Sequence, residues 1–162
     1  MDMNEFTLDG FEEIWARVQG AAEELPPPEP EGVDPLLRFL EQEAESAAFE
    51  RELACRLQSM EPLHRCTCER FQLLRSLWFL KTGERFSLRS KCCTLRGPLL
   101  QDLRKDYLAV SERADRYAAA AVETADPELR ETYAELSKQS REHARRLKTI
   151  IRRMLDHGGC GL

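Results

Sequence analysis

The sequence lacks a long apolar segment, an apolar run near its start and a block of basic residues. Its first five residues, from Met1 to Glu5, are polar and acidic, which predicts no signal peptide, and its apolar stretches are far too short to span a membrane. Acidic and basic side chains are interspersed at a net charge of -5. This pattern disfavours nucleic acid as a partner. We therefore expect a cytoplasmic protein that binds neither nucleic acid nor membrane.

Aromatic residues are also scarce, at 7% of the chain, whereas charged residues make up 33%. Leucine, alanine, glutamate and arginine dominate, and this mixture favours long helices over strands. A chain of 162 residues is long enough for one domain with a full core. The composition therefore predicts a single all-α domain.

The six cysteines do not form a pair of CxxC motifs, so a structural zinc site is weakly supported. His64, Cys66 and Cys68 are the nearest approach to a ligand cluster, but they could chelate a metal only in an extended segment. Cys92 and Cys93 lie among basic residues, which favours thiolate, and a thiol-based redox or soft-metal site is one possible function. Reduced, unreactive thiols are the alternative, and for a cytosolic protein we favour it.

The N-terminal region divides into a short helix and a linker. Residues 1–25 carry apolar side chains at helical spacing, among them Phe11 and Trp15, which predicts an amphipathic helix. Residues 26–34 are rich in proline and predict a stiff, extended linker. This helix either docks on the rest of the protein or presents Trp15 and Phe11 to a partner.

Residues 35–157 predict a bundle of four helices, followed by a flexible tail at 158–162. An acidic residue followed by proline marks two helix starts, at Asp34-Pro35 and at Asp126-Pro127. The predicted helices cover 35 to about 58, 61 to about 81, 98 to about 124, and 127 to about 157. The connections are short, long and short, which predicts two helical hairpins joined by one long crossover.

Polar residues interrupt the apolar stripes of the first, second and fourth helices, at Glu43, Glu50, Thr67, Arg70, Ser140 and His143. The stripe of the third helix is apolar and has Val110 at its middle. Because an unpaired buried charge is costly, we expect the polar residues to meet. Arg70 is predicted to form an ion pair with Glu43 and Glu50, and His143 to be a hydrogen-bonded core residue.

Four segments of the chain resemble rubrerythrin-type ferritin-like proteins, especially a group common in anaerobic gut bacteria. These segments are FEEIWARV at 11–18, EQEAESAAF at 41–49, FLKTGERF at 79–86 and SREHARRL at 140–147. Their order and spacing are similar over nearly the whole chain. The resemblance implies a ferritin-like four-helix bundle with a di-iron centre.

In that family the first and third helices each supply one Glu to the irons, and the second and fourth each supply Glu-x-x-His. The resemblance implies that this chain keeps two ligand positions, Glu43 and His143, as a vestige of the site. The other four positions hold residues that suit iron poorly: Thr67, Arg70, Val110 and Ser140. Nearby Glu69, Glu112 and Glu142 lie off the buried stripes, so we expect them to be solvated.

Two functions remain as hypotheses. In the first, the protein has lost di-iron binding, has no cofactor, and acts as a non-catalytic binding or structural protein, with a homodimer or another protein as its partner. In the second, it is a metal-binding oxidoreductase of the rubrerythrin or ferritin type that handles iron or peroxide. A single Glu and a single His could hold one metal ion at most, which favours the first hypothesis.

Overall fold

The computed structural model describes residues 32–88, 95 and 97–158, and this part of the chain contains four long helices and no strand. The helices are α1 (Pro35–Arg56), α2 (Glu61–Thr82), α3 (Leu99–Glu123) and α4 (Pro127–Gly158). A short 3-10 turn, Gln58–Met60, lies between α1 and α2. The all-α fold class is confirmed, and every helix begins and ends close to its predicted bounds.

Several predictions fall outside the described residues. These are the amphipathic helix at 1–25, most of the linker at 26–34, the Cys92-Cys93 pair, and residues 159–162 of the tail. None of the helices in the described part is both long and apolar enough to cross a membrane.

The ends of the helices are set by local chemistry. Asp34 caps α1, since its carboxylate accepts a hydrogen bond from the backbone N–H of Leu36 at 2.9 Å. Asp126 does the same for α4 through the N–H of Glu128, also at 2.9 Å. Gly83 ends α2 in the left-handed conformation, at a φ of 71°, where a residue with a Cβ would be strained.

Two ion pairs at opposite ends of the bundle establish its topology. Lys81 Nζ lies 2.9 Å from Asp34 Oδ2, so the end of α2 is beside the start of α1. Arg56 Nη1 lies 2.8 Å from Asp102 Oδ2, so the start of α3 is beside the end of α1. The end of α2 and the start of α3 therefore lie at opposite ends of the bundle. The helices are arranged up, down, down and up, as two antiparallel hairpins.

The core contains two apolar clusters with a polar layer between them. The Leu36 cluster, at the end where α1 begins, consists of Leu36, Phe39, Leu40, Leu74, Tyr117, Ala121, Tyr133 and Leu136. The Leu147 cluster, at the end where α1 finishes, consists of Leu53, Met60, Leu63, Leu103, Val110, Ala144, Leu147 and Ile151. Burial of these side chains supplies the main driving force for folding.

Candidate functional site

The polar layer consists of eight side chains that are each at most 4% exposed. All four helices contribute to it, and its members are Glu43, Glu50, Thr67, Arg70, Asp106, Arg113, Ser140 and His143. Charged residues are rarely buried this completely unless they are paired. The layer is therefore the part of the molecule that needs a chemical explanation.

Arg70 lies at the centre of this layer and joins three helices. Its Nε donates to Glu43 Oε1 of α1 at 3.1 Å. Its Nη2 lies 2.9 Å from Thr67 Oγ1 and 3.1 Å from His143 Nδ1 of α4. Because a guanidinium Nη carries two hydrogens, both hydrogens of Nη2 have an acceptor. Of the three residues predicted to form a core ion pair, Arg70 contacts Glu43, while Glu50 contacts His143.

Glu43 is held by a second cation and by a hydroxyl. Tyr117 Oη donates to Glu43 Oε1 at 2.8 Å, and Arg113 Nε lies 3.2 Å from the same oxygen. Arg113 is fixed in turn by α1, since its Nη1 donates to Ser46 Oγ at 2.6 Å and to the carbonyl of Gln42 at 3.3 Å. The carboxylate therefore lies between two guanidinium groups.

Glu50, Asp106 and His143 form a second group, which we call the Glu50 cluster. One potential ligand atom from each residue lies within 4.8 Å of the others. Glu50 Oε1 is 3.2 Å from His143 Nε2, but the two atoms are not aligned as a hydrogen bond. Both oxygens of Glu50, Oδ2 of Asp106 and Nε2 of His143 are buried and have no partner in full hydrogen-bonding geometry among the described residues, although the Thr67 hydroxyl is near enough to Glu50 to oppose the rise in its pKa.

The tautomer of His143 follows from its contact with Arg70. A guanidinium can only donate, so His143 Nδ1 accepts and cannot carry a proton. Burial, followed by the charges of Arg70 and Arg113, lowers the pKa of His143 to about 3. At neutral pH the imidazole is therefore uncharged, and its proton is on Nε2, which faces Glu50.

The charges of the layer nearly balance. Burial raises the pKa of Glu50 to about 7, although the Thr67 hydroxyl and the charges of both arginines oppose the shift. Burial and the charge of Glu50 raise the pKa of Asp106 well above its ordinary value. Burial therefore opposes ionisation of both carboxyl groups, while the two guanidinium groups favour it.

The residues at the six expected ligand positions do not fit a di-iron centre. One oxygen of Glu43 is occupied by hydrogen bonds, and His143 carries its proton on the nitrogen that would face a metal in this layer. The remaining four positions supply a hydroxyl, a guanidinium, an isopropyl group and a second hydroxyl, from Thr67, Arg70, Val110 and Ser140. None of these four is a ligand that bridges two iron ions.

The expectation of an uncharged stripe on the third helix is wrong, because α3 adds Asp106 and Arg113 to the layer. Asp106 precedes Val110 by four positions and Arg113 follows it by three, so both share its face of the helix. The stripe expected from the sequence passed through Tyr107 and Ala114; Ala114 is buried as expected, and Asp106 and Arg113 are buried beside these two positions. An acid and a base at i−4 and i+3 from a central apolar residue were the signal for these two residues. Glu69, Glu112 and Glu142 are exposed, as predicted.

The residues His64, Cys66 and Cys68 lie on α2, so the extended geometry that they would need for chelation is not present. His64 and Cys68 share a face, with Sγ 3.7 Å from Nε2, and Cys66 is two positions from each. Burial, with smaller contributions from Glu50 and Glu61, raises the pKa of Cys68. The thiol is therefore protonated at neutral pH, which disfavours a reactive thiolate at Cys68.

A groove of about 920 Å³ lies between α1 and α3, beside residues 86–88 of the crossover. Its lining combines apolar side chains, including Phe49 and Phe86, with charged ones such as Lys105 and Glu45. Asp106 and Arg113 also line it, which makes α3 the link between this groove and the polar layer.

Comparisons with protein-family models, curated proteins and solved structures gave no match to this chain. Its function is therefore inferred from the charges, hydrogen bonds and burial of the polar layer.

Proposed function

We propose that this chain is a ferritin-like four-helix bundle that has lost its di-iron centre and acts as a non-catalytic binding or structural protein. The observation that carries the proposal is the position of Arg70, whose guanidinium is bonded to Glu43, Thr67 and His143 in the middle of the core. The resemblance implies an iron ligand at each of these four positions. The guanidinium of Arg70 is thus bonded to the residues at the other three.

Charge neutralisation is the physical basis of the proposal. In a di-iron centre, metal cations neutralise several buried carboxylates. Here Arg70 and Arg113 supply positive charge beside Glu43, at 3.1 and 3.2 Å from the same oxygen. Guanidinium groups suit this role because they are weakly hydrated and remain charged when they are buried. Burial alone would lower the pKa of Arg70, but Glu43 and Glu50 keep it above its ordinary value.

The arrangement of the helices supports the ferritin-like part of the proposal. Two antiparallel hairpins joined by one long crossover are the topology of that group of bundles. The end of α2 and the start of α3 lie at opposite ends of the bundle, and α3 runs antiparallel to α1. Three of the resembling segments lie within the described residues. They are on α1, on α4 and across the end of α2, where the family has its ligands or its crossover.

A metal-binding oxidoreductase is the second candidate, and the Glu50 cluster is the observation that favours it. Two carboxyl groups and an imidazole within 4.8 Å are a plausible donor set for one divalent cation. However, the cluster consists of three ligand groups, too few to hold two metal ions, so it does not support two-iron chemistry.

Iron stoichiometry tests the proposal directly. The full chain is incubated with ferrous iron without oxygen and desalted, and its iron is measured by elemental mass spectrometry. We expect well under one iron per chain, and no peroxidase or ferroxidase activity. About two irons per chain, as in di-iron proteins, would overturn the proposal.

A rebuilt variant provides the positive control. The substitutions Thr67→Glu, Arg70→His, Val110→Glu and Ser140→Glu restore the ligand set that the resemblance implies. We expect this variant to bind about two irons per chain if it folds, as judged by its circular dichroism. A folded variant without iron would show that these positions do not correspond to those of ferritin-like proteins.

The binding role is assigned to the surface. Phe79, Leu80 and Val122 are large apolar residues that are 50%, 80% and 84% exposed. Exposed apolar groups of this kind favour contact with a protein. A second copy of the chain is the first partner to test, by sedimentation equilibrium. We expect the wild type to associate and Leu80→Lys to weaken the association, whereas a monomeric wild type would exclude the homodimer.

A further inference from the structure

The geometry points to a second, latent metal site in the core: the Glu50 cluster has the donor set of a mononuclear divalent-cation site, and Arg70 keeps it closed to the cation. Its residues are Glu50 of α1, Asp106 of α3 and His143 of α4. Neither carboxylate stands at a ligand position of the di-iron centre discussed above. The inference rests on the proposed function in one respect, that in both Arg70 supplies the positive charge that excludes a metal cation from the core.

The cluster has the composition and orphaned atoms of a cation site. Four atoms of its three residues are buried without a partner in full hydrogen-bonding geometry in the described part of the chain, and all three residues are at most 2% exposed. Unsatisfied buried atoms are uncommon in native proteins, so four in one cluster require an explanation. Ligands of one small divalent ion lie at most about 4.3 Å apart, so atoms within 4.8 Å need only small side-chain movements.

Arg70 closes the site through the imidazole. A histidine that binds a metal through Nε2 carries its proton on Nδ1 and usually donates it to an acceptor. Here Nδ1 faces Nη2 of Arg70 at 3.1 Å, and this nitrogen can only donate. A proton on Nδ1 would place two donors against each other, so the lone pair remains on Nδ1 and Nε2 stays protonated. The Nε2 atom that faces the carboxylates therefore has no lone pair for a metal.

The positive charges of the arginines also oppose binding of a cation at the Glu50 cluster. The positive charges of Arg70 and Arg113 both act on Glu50 and Asp106, and they disfavour a further cation between these residues. Glu43, which also acts on both carboxyls, is already engaged with the two arginines. Removal of one guanidinium would relieve both the repulsion and the constraint on the tautomer.

The test measures binding of Co²⁺ alone, by calorimetry and visible absorption, to the full wild-type chain and to four variants of it: Arg70→Gln, Arg70→Lys, His143→Gln, and Arg70→Gln with His143→Gln. Arg70→Gln replaces the donor with a side chain whose carbonyl oxygen can accept a hydrogen bond from a protonated Nδ1. Arg70→Lys is the matched control, since it retains a positive donor. Arg70→Gln with His143→Gln assigns any new site to the cluster, because other residues such as His64 and Cys68 are unchanged.

We expect Arg70→Gln to bind about one more Co²⁺ than the wild type or Arg70→Lys, and the double variant to lose it. A folded Arg70→Gln that binds no more than the wild type would overturn the inference and leave the proposed function intact. Equal binding by Arg70→Lys would also overturn it. If the wild type binds Co²⁺ and His143→Gln abolishes that binding, both the inference and the proposed function fail.

A measurement on the wild type keeps the inference testable if Arg70→Gln does not fold. The ¹⁵N chemical shifts of the His143 ring distinguish the two neutral tautomers. We expect the proton on Nε2 and an unprotonated Nδ1 at neutral pH. A proton on Nδ1 would show that Arg70 does not fix the tautomer, and would overturn the inference.

Discussion

The polar layer and the two apolar clusters fill the same core, but they hold it together differently. In the Leu36 and Leu147 clusters, side chains contact many neighbours, and no single partner is essential. In the polar layer, the groups depend on a few named partners, as Glu43 depends on Arg70, Arg113 and Tyr117. The clusters supply the free energy of folding, whereas the layer constrains which helices can lie together.

Tyr117 connects the two kinds of packing. Its ring stacks on Phe39 in the Leu36 cluster, with 4.2 Å between centroids, while its hydroxyl donates to Glu43 in the polar layer. Burial and the charge of Glu43 raise the pKa of this tyrosine well above its ordinary value, so the hydroxyl remains a donor. The following predictions, from the largest expected effect to the smallest, test whether the polar layer and the apolar clusters contribute independently to the stability of the fold.

Arg70→Met should have the largest effect on stability. It leaves three buried acceptors without their donor and removes a charge from beside Glu43, and breaking a buried pair in this way costs about 3–5 kcal/mol. Urea denaturation measures the free energy of unfolding. The double variant Arg70→Met with Glu43→Gln should recover part of the loss, and equal losses in both would show that the ion pair is unimportant.

Leu147→Ala should cost about 2–4 kcal/mol by leaving a cavity in the Leu147 cluster. The residue is fully buried, and no polar group is left unpaired. The same urea experiment measures it, with Leu40→Ala in the Leu36 cluster as the matched variant. A loss below about 1 kcal/mol would indicate that the cluster collapses around the cavity.

The pH dependence of stability should separate Glu50 from His143. Glu50 has its pKa raised from 4.5 to about 7, so its contribution is complete below pH 4.5 and is lost as the pH rises through 7. The pKa of His143 is lowered from 6.5 to about 3, so its contribution is complete above pH 6.5 and is lost as the pH falls towards 3.

Relative to the wild type, His143→Gln should therefore lose stability more steeply as the pH rises from 4.5 to 6.5, and Glu50→Gln should show the opposite change in slope. Each change should correspond to about one proton. Urea unfolding at a series of pH values measures both slopes. Parallel curves for the wild type and both variants would contradict the assigned directions.

Tyr117→Phe should have the smallest effect, about 1–2 kcal/mol, because it removes one hydrogen bond to a charged group and leaves the ring in place. Thermal unfolding at neutral pH measures the loss. Tyr133→Phe is the control, since this residue also belongs to the Leu36 cluster. A loss as large as that of Arg70→Met would mean that the hydroxyl, and not the guanidinium, is the main partner of Glu43.

The helices and their order could be predicted from the sequence because their signals are local. Asp34, Asp126 and Gly83 mark helix ends through contacts within a few residues, and the unequal loop lengths follow from the same bounds. The polar residues of α1, α2 and α4 were visible as interruptions in apolar stripes. Asp106 and Arg113 were not, because they lie beside the traced positions Tyr107 and Ala114, and the buried face of α3 is wider than one stripe of apolar residues.

The sequence by itself determined the four helices, the long crossover and the presence of buried charge, since these depend on spacing along one chain. Only the tertiary structure decided which charges pair, because contacts such as Arg70 with Glu43 join residues on different helices. The tautomer of His143 depends on the same packing, since Arg70 and Glu50 approach its two nitrogens from separate helices. The rotation of each helix about its axis fixes these contacts, and packing sets that rotation.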